Sequence, residues 1–326
     1  MNNTKESCTA FYGWSKDNTI RMDSSSGGFF SVLAGYVLDH DGVVIGAYFD
    51  AETKSVKHAS SDVILMDQMR KSKYVESDMT KAIPLIQEAV SKKRLVLFCG
   101  TPCQCAGIRM RFGGTEDIIL CDFFCHGVPS PRVFKDFLEW KEKKANSSIL
   151  DYQFRTKEFG WTQYGVKTIF RNGKTEDTVG RCEFQFTASM LNNDFLRECC
   201  YTCDKAMYHS ADFTIGDFWG VNQIQRPQNW NRGISAIIVN TAYAEKILSE
   251  IRQNLELFPL PKTLLKYAFR VKTDDKLIEG KKKKYEEYKK IGIEEYINKY
   301  YKTRLMLSRI LFAVKKHKFK RRCEGE

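Results

Sequence analysis

What this chain lacks narrows its class before any motif does. Residues 1–14, MNNTKESCTAFYGW, contain no basic stretch running into an apolar one, so no secretion signal is expected there. No run of about 18 apolar residues occurs, which argues against a membrane-spanning helix. The expected location is therefore the cytoplasm. No internal repeat is visible, and no G-x-G-x-x-G follows a strand, so a conventional dinucleotide fold motif is not indicated. Excess charge is also missing from most of the chain. Of the net +12, residues 281–326 hold +10, from sixteen Lys/Arg against six Asp/Glu, and residues 1–280 only +2. A nearly neutral core is a poor partner for nucleic acid, and none is expected.

What is present is an ordinary globular composition, 43% hydrophobic and 28% charged over 326 residues, enough to bury a core without disulfides. In a reducing compartment the eleven cysteines point to metal or redox chemistry rather than to a disulfide framework. From Ser24 to Val133 helix and strand signals alternate. An apolar stretch at helical spacing (Phe29, Val32, Leu33, Tyr36, Val37) precedes a β-branched run from Gly42 to Phe49. Leu95 to Cys99 and Ile118 to Phe124 are of strand length, each ending in a turn containing Gly and Pro. Val166 to Arg171 before Asn172-Gly173 predicts a hairpin. Ala211 to Ile215 and Ile234 to Val239 read as strands, and Ala242 to Leu257 as an amphipathic helix. The fold class predicted is α/β, a mixed sheet with flanking helices, plus a basic helical C-terminal tail. The divisions are a lead at 1–19, an N-terminal half at 20–110, a C-terminal half at 111–275 and the tail at 276–326.

Four cysteines stand out by context. Cys103 and Cys125 each follow a strand, where the turns of a parallel sheet gather along one edge. Cys200 and Cys203 form a C-x-x-C. Four such thiolates could hold a 4Fe–4S cluster or a tetrahedral zinc. Cys99 and Cys121, inside apolar strands, read as core residues. Ser24, Ser25, Ser26, Gly27 and Gly28 at a helix start suit a dinucleotide phosphate, or else a plain N-cap.

These residues belong to an ordered series: Ser24–Gly28, Lys73-Tyr74-Val75, Leu97 to Gln104, Cys125 to Pro131, Phe154 to Lys157, Gly160-Trp161, Cys200 to Cys203, Thr214 to Gly220 and Gly233-Ile234-Ser235. Over roughly residues 20–250 the series resembles the coenzyme F420 hydrogenase/dehydrogenase beta-subunit family. The resemblance implies an iron–sulfur flavoprotein that moves electrons between a 4Fe–4S cluster, FAD and an external acceptor, the deazaflavin coenzyme or another small molecule. It implies Cys103, Cys125, Cys200 and Cys203 as cluster ligands. It places Ser24–Gly28, Lys73, Tyr74, Gly100 and Thr101 around the flavin, making 20–110 the flavin side. His126, beside a ligand cysteine, could shuttle a proton to reduced flavin or orient its turn. Arg155 and Lys157 could meet an anionic ligand or form a solvated charge pair. Asp217 and Trp219 are expected to shape the site, with Trp219 buried through an N–H partner.

Many relatives carry a ferredoxin-like segment ahead of these motifs, whereas only Cys8 precedes them here. A separate ferredoxin-like carrier or redox subunit is therefore expected as partner. The tail, with Tyr285, Tyr288, Ile291, Ile293, Tyr296 and Ile297 on one helix face and Leu305, Leu307, Ile310, Leu311 and Val314 beyond, would dock an acidic protein or an anionic membrane surface through residues 281–326, or else cap the core. A location peripheral to the inner membrane surface goes with the membrane option. The rival function is a zinc- or cluster-stabilised interaction protein that has lost its flavin.

Overall fold

A computed structural model describes residues 9–204, 209–261, 263–264, 275–303, 306–307, 310 and 314. The chain opens with β1 (Thr9–Ser15) and the short α1 (Asn18–Met22), where the Asp17 carboxylate caps the helix by accepting from the N–H of Thr19 at 2.7 Å. Helix α2 (Phe29–Asp39) starts at Gly28, whose φ of +94° suits glycine, and buries Phe29, Val32, Leu33 and Val37 as their spacing predicts. β2 (Val43–Asp50) and β3 (Ser55–Ser60) form an antiparallel pair, followed by α3 (Met66–Met69), β4 (Ser77–Asp78) and α4 (Ala82–Ser91). β5 (Val96–Cys99) leads into α5 (Pro102–Phe112). Thr101 and Gln104 cap α5 reciprocally, with Pro102 at the first helical position. β6 (Ile118–Phe123) and α6 (Pro131–Ala145) complete the expected alternation.

β7 (Ile149–Thr156), β8 (Gly165–Phe170) and β9 (Thr175–Val179) make a separate antiparallel sheet, and the Asn172-Gly173 turn sits where expected, Gly173 at φ +84°. Then come α7 (Phe184–Phe186), α8 (Glu198–Tyr201), β10 (Phe213–Asp217), β11 (Ser235–Val239), α9 (Ala242–Ile251), β12 (Leu255–Pro259) and α10 (Asp275–Tyr300), interrupted at Gly292. One expectation is corrected here. The helix read over Ala242–Leu257 stops at Ile251, and Leu255–Pro259 pairs antiparallel with β1 (Gly13↔Leu257). Backbone pairing with an open strand edge outweighs a helical period that the same leucines would also fit.

The main sheet has nine strands in the order β12-β1-β11-β10-β6-β5-β2-β3-β4, so both expected halves, 20–110 and 111–275, contribute to it. Its centre, β10-β6-β5-β2, is parallel, and antiparallel strands flank it on both sides. Alternation along the strands decides the two faces. Val44, Leu97, Ile119 and Cys121 face α2 and α9, whereas Val43, Ile45, Val96, Phe98, Ile118 and Leu120 face α4 and α5. The fold class is thus the mixed α/β architecture that the sequence implies.

The tail's first helix joins the core. Tyr288, Tyr296 and Ile297 of α10 are buried against α6, Phe184 and Phe195. Burying each such side chain contributes about 1.5–3 kcal/mol. Of the alternatives for this stripe, capping the core is the one observed. Lys281 and Lys284 both reach the fully buried carboxylate of Asp194, at 2.9 and 3.1 Å. Further along, Leu307, Ile310 and Val314 are exposed, while Leu305, Leu311 and most of the basic residues beyond lie outside the described residues, as does Cys8. Among the described residues no helix is long and apolar enough to cross a membrane.

Candidate functional site

β5 and β6 are parallel neighbours with Cys99 opposite Cys121, so the turns that follow them emerge side by side. Cys103 lies exposed in the first turn of α5, its sulfur 3.1 Å from the Thr101 hydroxyl. Cys125 lies on the turn after β6, and its sulfur accepts from the N–H of Gly127 at 3.4 Å. That turn is stitched to the segment leading into α8. Ser130 N–H donates to Phe195 O at 2.8 Å, and Arg197 N–H to Val128 O at 3.0 Å. Gly127, at φ +106°, permits the approach: a Cβ there would lie 2.8 Å from Leu196 Cδ1 and 3.2 Å from the Cys200 Cβ.

The consequence is that Cys125 has Cys200, Cys103 and Cys203 as electrostatic neighbours. Burial pushes its thiol up to about 12, and those three sulfurs push the same way. Burial likewise raises Cys200 to about 11, with Cys199 and Cys103 adding to it. The four cysteines singled out in the sequence therefore share one neighbourhood, and the half-buried Cys182 and the exposed Cys199 were not among them. Among the described residues no group of three or more His, Cys, Asp or Glu is gathered tightly enough to hold a metal ion. The donor chemistry fits a thiolate-bound metal, since soft sulfurs are partly desolvated and the Cys125 sulfur receives a backbone N–H. Raised thiol pKa values mean that any such metal must displace protons on binding.

The Ser/Gly loop is occupied by protein contacts. Ser24 donates to Ile20 O, Ser26 donates to Ile234 O, and Ser25 accepts from Ser72 N–H, at 2.7, 2.7 and 2.8 Å. Gly27 N–H donates to the Ser235 hydroxyl at 2.9 Å, and a Cβ on Gly27 would lie 2.3 Å from Gly13 O. The small residues are thus explained by close packing of the loop against β1 and β11. Cations still surround it. Lys157, with 7% of its surface exposed, donates to Arg21 O, Ser26 O and Arg232 O at 2.6, 2.5 and 2.7 Å. Burial, then Arg155, Arg21 and Lys71, lower it to about 7, and Asp217 opposes them. A helix start amid excess positive charge fits a phosphate-bearing group in charge, though its hydroxyls already have partners.

Two expectations about charged residues are corrected. Lys157 is neither a ligand contact nor a solvated cation, because the buried ammonium donates to three backbone carbonyls. Arg155 is buried, its guanidinium 2.5 Å from Asp217 Oδ2, and the indole N–H of Trp161 donates to Asp217 Oδ1 at 2.7 Å. The buried indole with an N–H partner is thus Trp161. Trp219 is 44% exposed and lies flat on it, with ring centroids 5.1 Å apart and planes 2° apart. Arg155 also reaches Tyr74 Oη at 3.5 Å, which joins the Lys73-Tyr74 segment to this network.

Lys73 donates to Gln68 O and Arg70 O at 2.7 and 2.6 Å, and burial lowers it to about 7 while Cys99 acts the other way. Gly100 leaves room for the Gln104 amide that completes the α5 cap, since a Cβ would come within 2.8 Å of Gln104 Oε1. His126 is half-buried on the Cys125 turn. Two further histidines make buried or half-buried contacts in this region. His58 donates to Cys99 O at 3.0 Å, and His209 donates to the buried Asp122 at 2.8 Å. Asp122, a carboxylate inside an apolar strand, was the available signal for the second.

The family model described as the C terminus of the coenzyme F420 hydrogenase/dehydrogenase beta subunit matches residues 93–262. The chain belongs to that family. The matched span includes the cysteine quartet, the Gly100-Thr101 turn and His126, whereas Ser24–Gly28 and Lys73-Tyr74 precede it. Family membership makes the chain a hydrogenase/dehydrogenase beta-subunit relative with an oxidoreductase role. Among solved structures it is similar to a chain of the F420-reducing NiFe hydrogenase complex from Methanosarcina barkeri, studied by xenon derivatization. The TM-score is 0.54 at 17% identity, covering 88% of this chain and 94% of that one. At that identity the likeness speaks for a shared fold alone. No curated protein matches the sequence.

Proposed function

We propose that the chain is a flavin- and iron–sulfur-dependent oxidoreductase, passing electrons between a 4Fe–4S cluster, FAD and an external redox partner. The observation that supports this reading is that Cys103, Cys200 and Cys203 are all electrostatic neighbours of Cys125, within the family-matched span. Those four would hold the cluster. Ser24–Gly28, Lys73, Tyr74, Gly100 and Thr101 would line the flavin. When bound, these cofactors supply the exchange between one-electron and two-electron carriers.

The chain's own residues position and shield. The Thr101–Gln104 cap fixes the start of α5 and with it Cys103. The Gly127 turn lets the backbone beside Cys125 come close to Cys200. His126, on that turn, is assigned the proton at the reacting centre. The Arg155–Asp217–Trp161 network keeps Trp219 rigid beside the site. A separate ferredoxin-like carrier or redox subunit would exchange the electrons, in keeping with the similar structure being that of a hydrogenase complex, and a small molecule would be the final acceptor. The membrane contact through residues 281–326 is left with the outward residues, because the apolar face of α10 is engaged by the core.

Analysis of iron, acid-labile sulfide, zinc and flavin in one anaerobic preparation tests the reading. Iron and sulfide in near-equal amounts, with bound FAD and a brown-yellow spectrum, are expected. Stoichiometric zinc in a colourless, flavin-free protein would replace it with the interaction-protein reading.

A further inference from the structure

Two thiols outside the quartet lie close together. Cys99 ends β5, Cys121 is its register partner on the adjacent parallel strand β6, and both belong to the face packed by α2 and α9. Neighbouring strands run about 4.8 Å apart, inside the Cα separation of about 4.4–6.8 Å that a disulfide spans. Cys99 is an electrostatic neighbour of Cys121. Their exposures differ in a useful way, for Cys121 is fully buried and Cys99 is half-buried. The Lys73 ammonium lies within electrostatic reach of Cys99, and His58 holds the Cys99 carbonyl. Packing alone does not call for two register-matched thiols, which alanine or valine would replace in such a strand.

We propose that Cys99 and Cys121 form a reversible dithiol–disulfide couple, closed by a low-molecular-weight disulfide that reaches Cys99. The Cys99 thiolate attacks one sulfur of the external disulfide, forming a mixed disulfide and releasing one thiolate, which takes up the proton that Cys99 gave up. Cys121 then loses its proton and attacks the Cys99 sulfur, expelling the second thiolate, which takes that proton. Two protein thiols are oxidised and one external disulfide is reduced to two thiols. The second step is the slower, because the contact with Cys99 and burial both keep Cys121 protonated. The bond ties β5 to β6 directly before the Gly100-Thr101 and Cys125 turns, so the couple would set how far the two turns can separate.

The test uses the full-length protein as purified anaerobically, exposed to oxidised glutathione, alkylated, digested and mapped by mass spectrometry. A peptide pair joined through Cys99 and Cys121, released by dithiothreitol, is expected. In Cys121→Ala the glutathione adduct should accumulate on Cys99, and in Cys99→Ala no adduct should form on Cys121. Circular dichroism reports whether each variant folds, and if one does not, the wild-type map decides alone. A stable wild-type adduct on Cys99 without the cross-link would overturn the proposal. So would reaction confined to the exposed Cys103 and Cys199. The cross-link is expected whether the quartet binds iron or zinc, so its failure is separable from failure of the proposed function.

Discussion

Lys157 and His58 show how much single buried groups decide. Removing the ammonium by Lys157→Met leaves three carbonyls from three segments without a donor, at about 1–3 kcal/mol for each unsatisfied group. Urea unfolding should reveal a loss of at least about 2 kcal/mol, and an unchanged midpoint would show that water takes over the role. His58 is buried neutral, with burial, the largest cause, lowering it from 6.5 to about 4. An unfolded chain therefore binds a proton between those values that the folded one refuses. Stability is complete above pH 6.5 and falls as the pH drops toward 4, by up to about 3 kcal/mol. Melting temperatures of wild type and His58→Gln across that window should converge at the acid end. Parallel curves would assign the acid sensitivity elsewhere.

At the level of elements, α10 is a clamp on the aromatic cluster of the small sheet. Tyr296 is fully buried between Phe195 and Tyr301, and Tyr301 and Lys281 both bond the buried Asp194. Tyr296→Ala should cost about 3–5 kcal/mol, the range for a large aromatic truncated in a core. Leu307→Ala, at a half-exposed position, should stay within about 0.5 kcal/mol. Equal effects in chemical denaturation would refute the clamp. Amphipathic spacing announced the helix, but an apolar stripe facing lipid and one facing a core share the same period. Likewise, the leucines after Ile251 kept a helical pattern, and only the open edge of β1 turned them into β12.

For the whole molecule, cofactor and partner are what substitution can test. Cys200→Ser or Cys203→Ser should lose iron and lower the melting temperature, whereas Cys99→Ala and Cys121→Ala should keep full iron. Equal loss across all four variants would dissolve the quartet. Docking of an acidic ferredoxin is better tested by charge than by deleting α10, whose removal would strip the core. Replacing the outward Lys283, Lys289 and Lys290 with Gln should slow reduction by ferredoxin and flatten its salt dependence. Screening lengths shorten from about 10 Å at 0.1 M salt to about 3 Å at 1 M. Rates that ignore both salt and substitution would move the docking surface elsewhere.

By itself the sequence determined the alternation of strands and helices, the hairpin at Asn172-Gly173 and the family, because periodicity, turn chemistry and ordered motifs are local properties of the chain. It also marked Cys103 and Cys125, since the turns after neighbouring parallel strands must emerge together, and Cys200 and Cys203 by their C-x-x-C spacing. Tertiary structure alone decided which hydroxyls of Ser24–Gly28 were already bonded and that Lys157 ties three carbonyls. It also put Trp161 rather than Trp219 in the interior, and set Cys99 against Cys121. Each of these depends on which distant segment lies against a residue. Burial turns the same lysine from a solvated charge into a structural tie, and no local pattern records that neighbour.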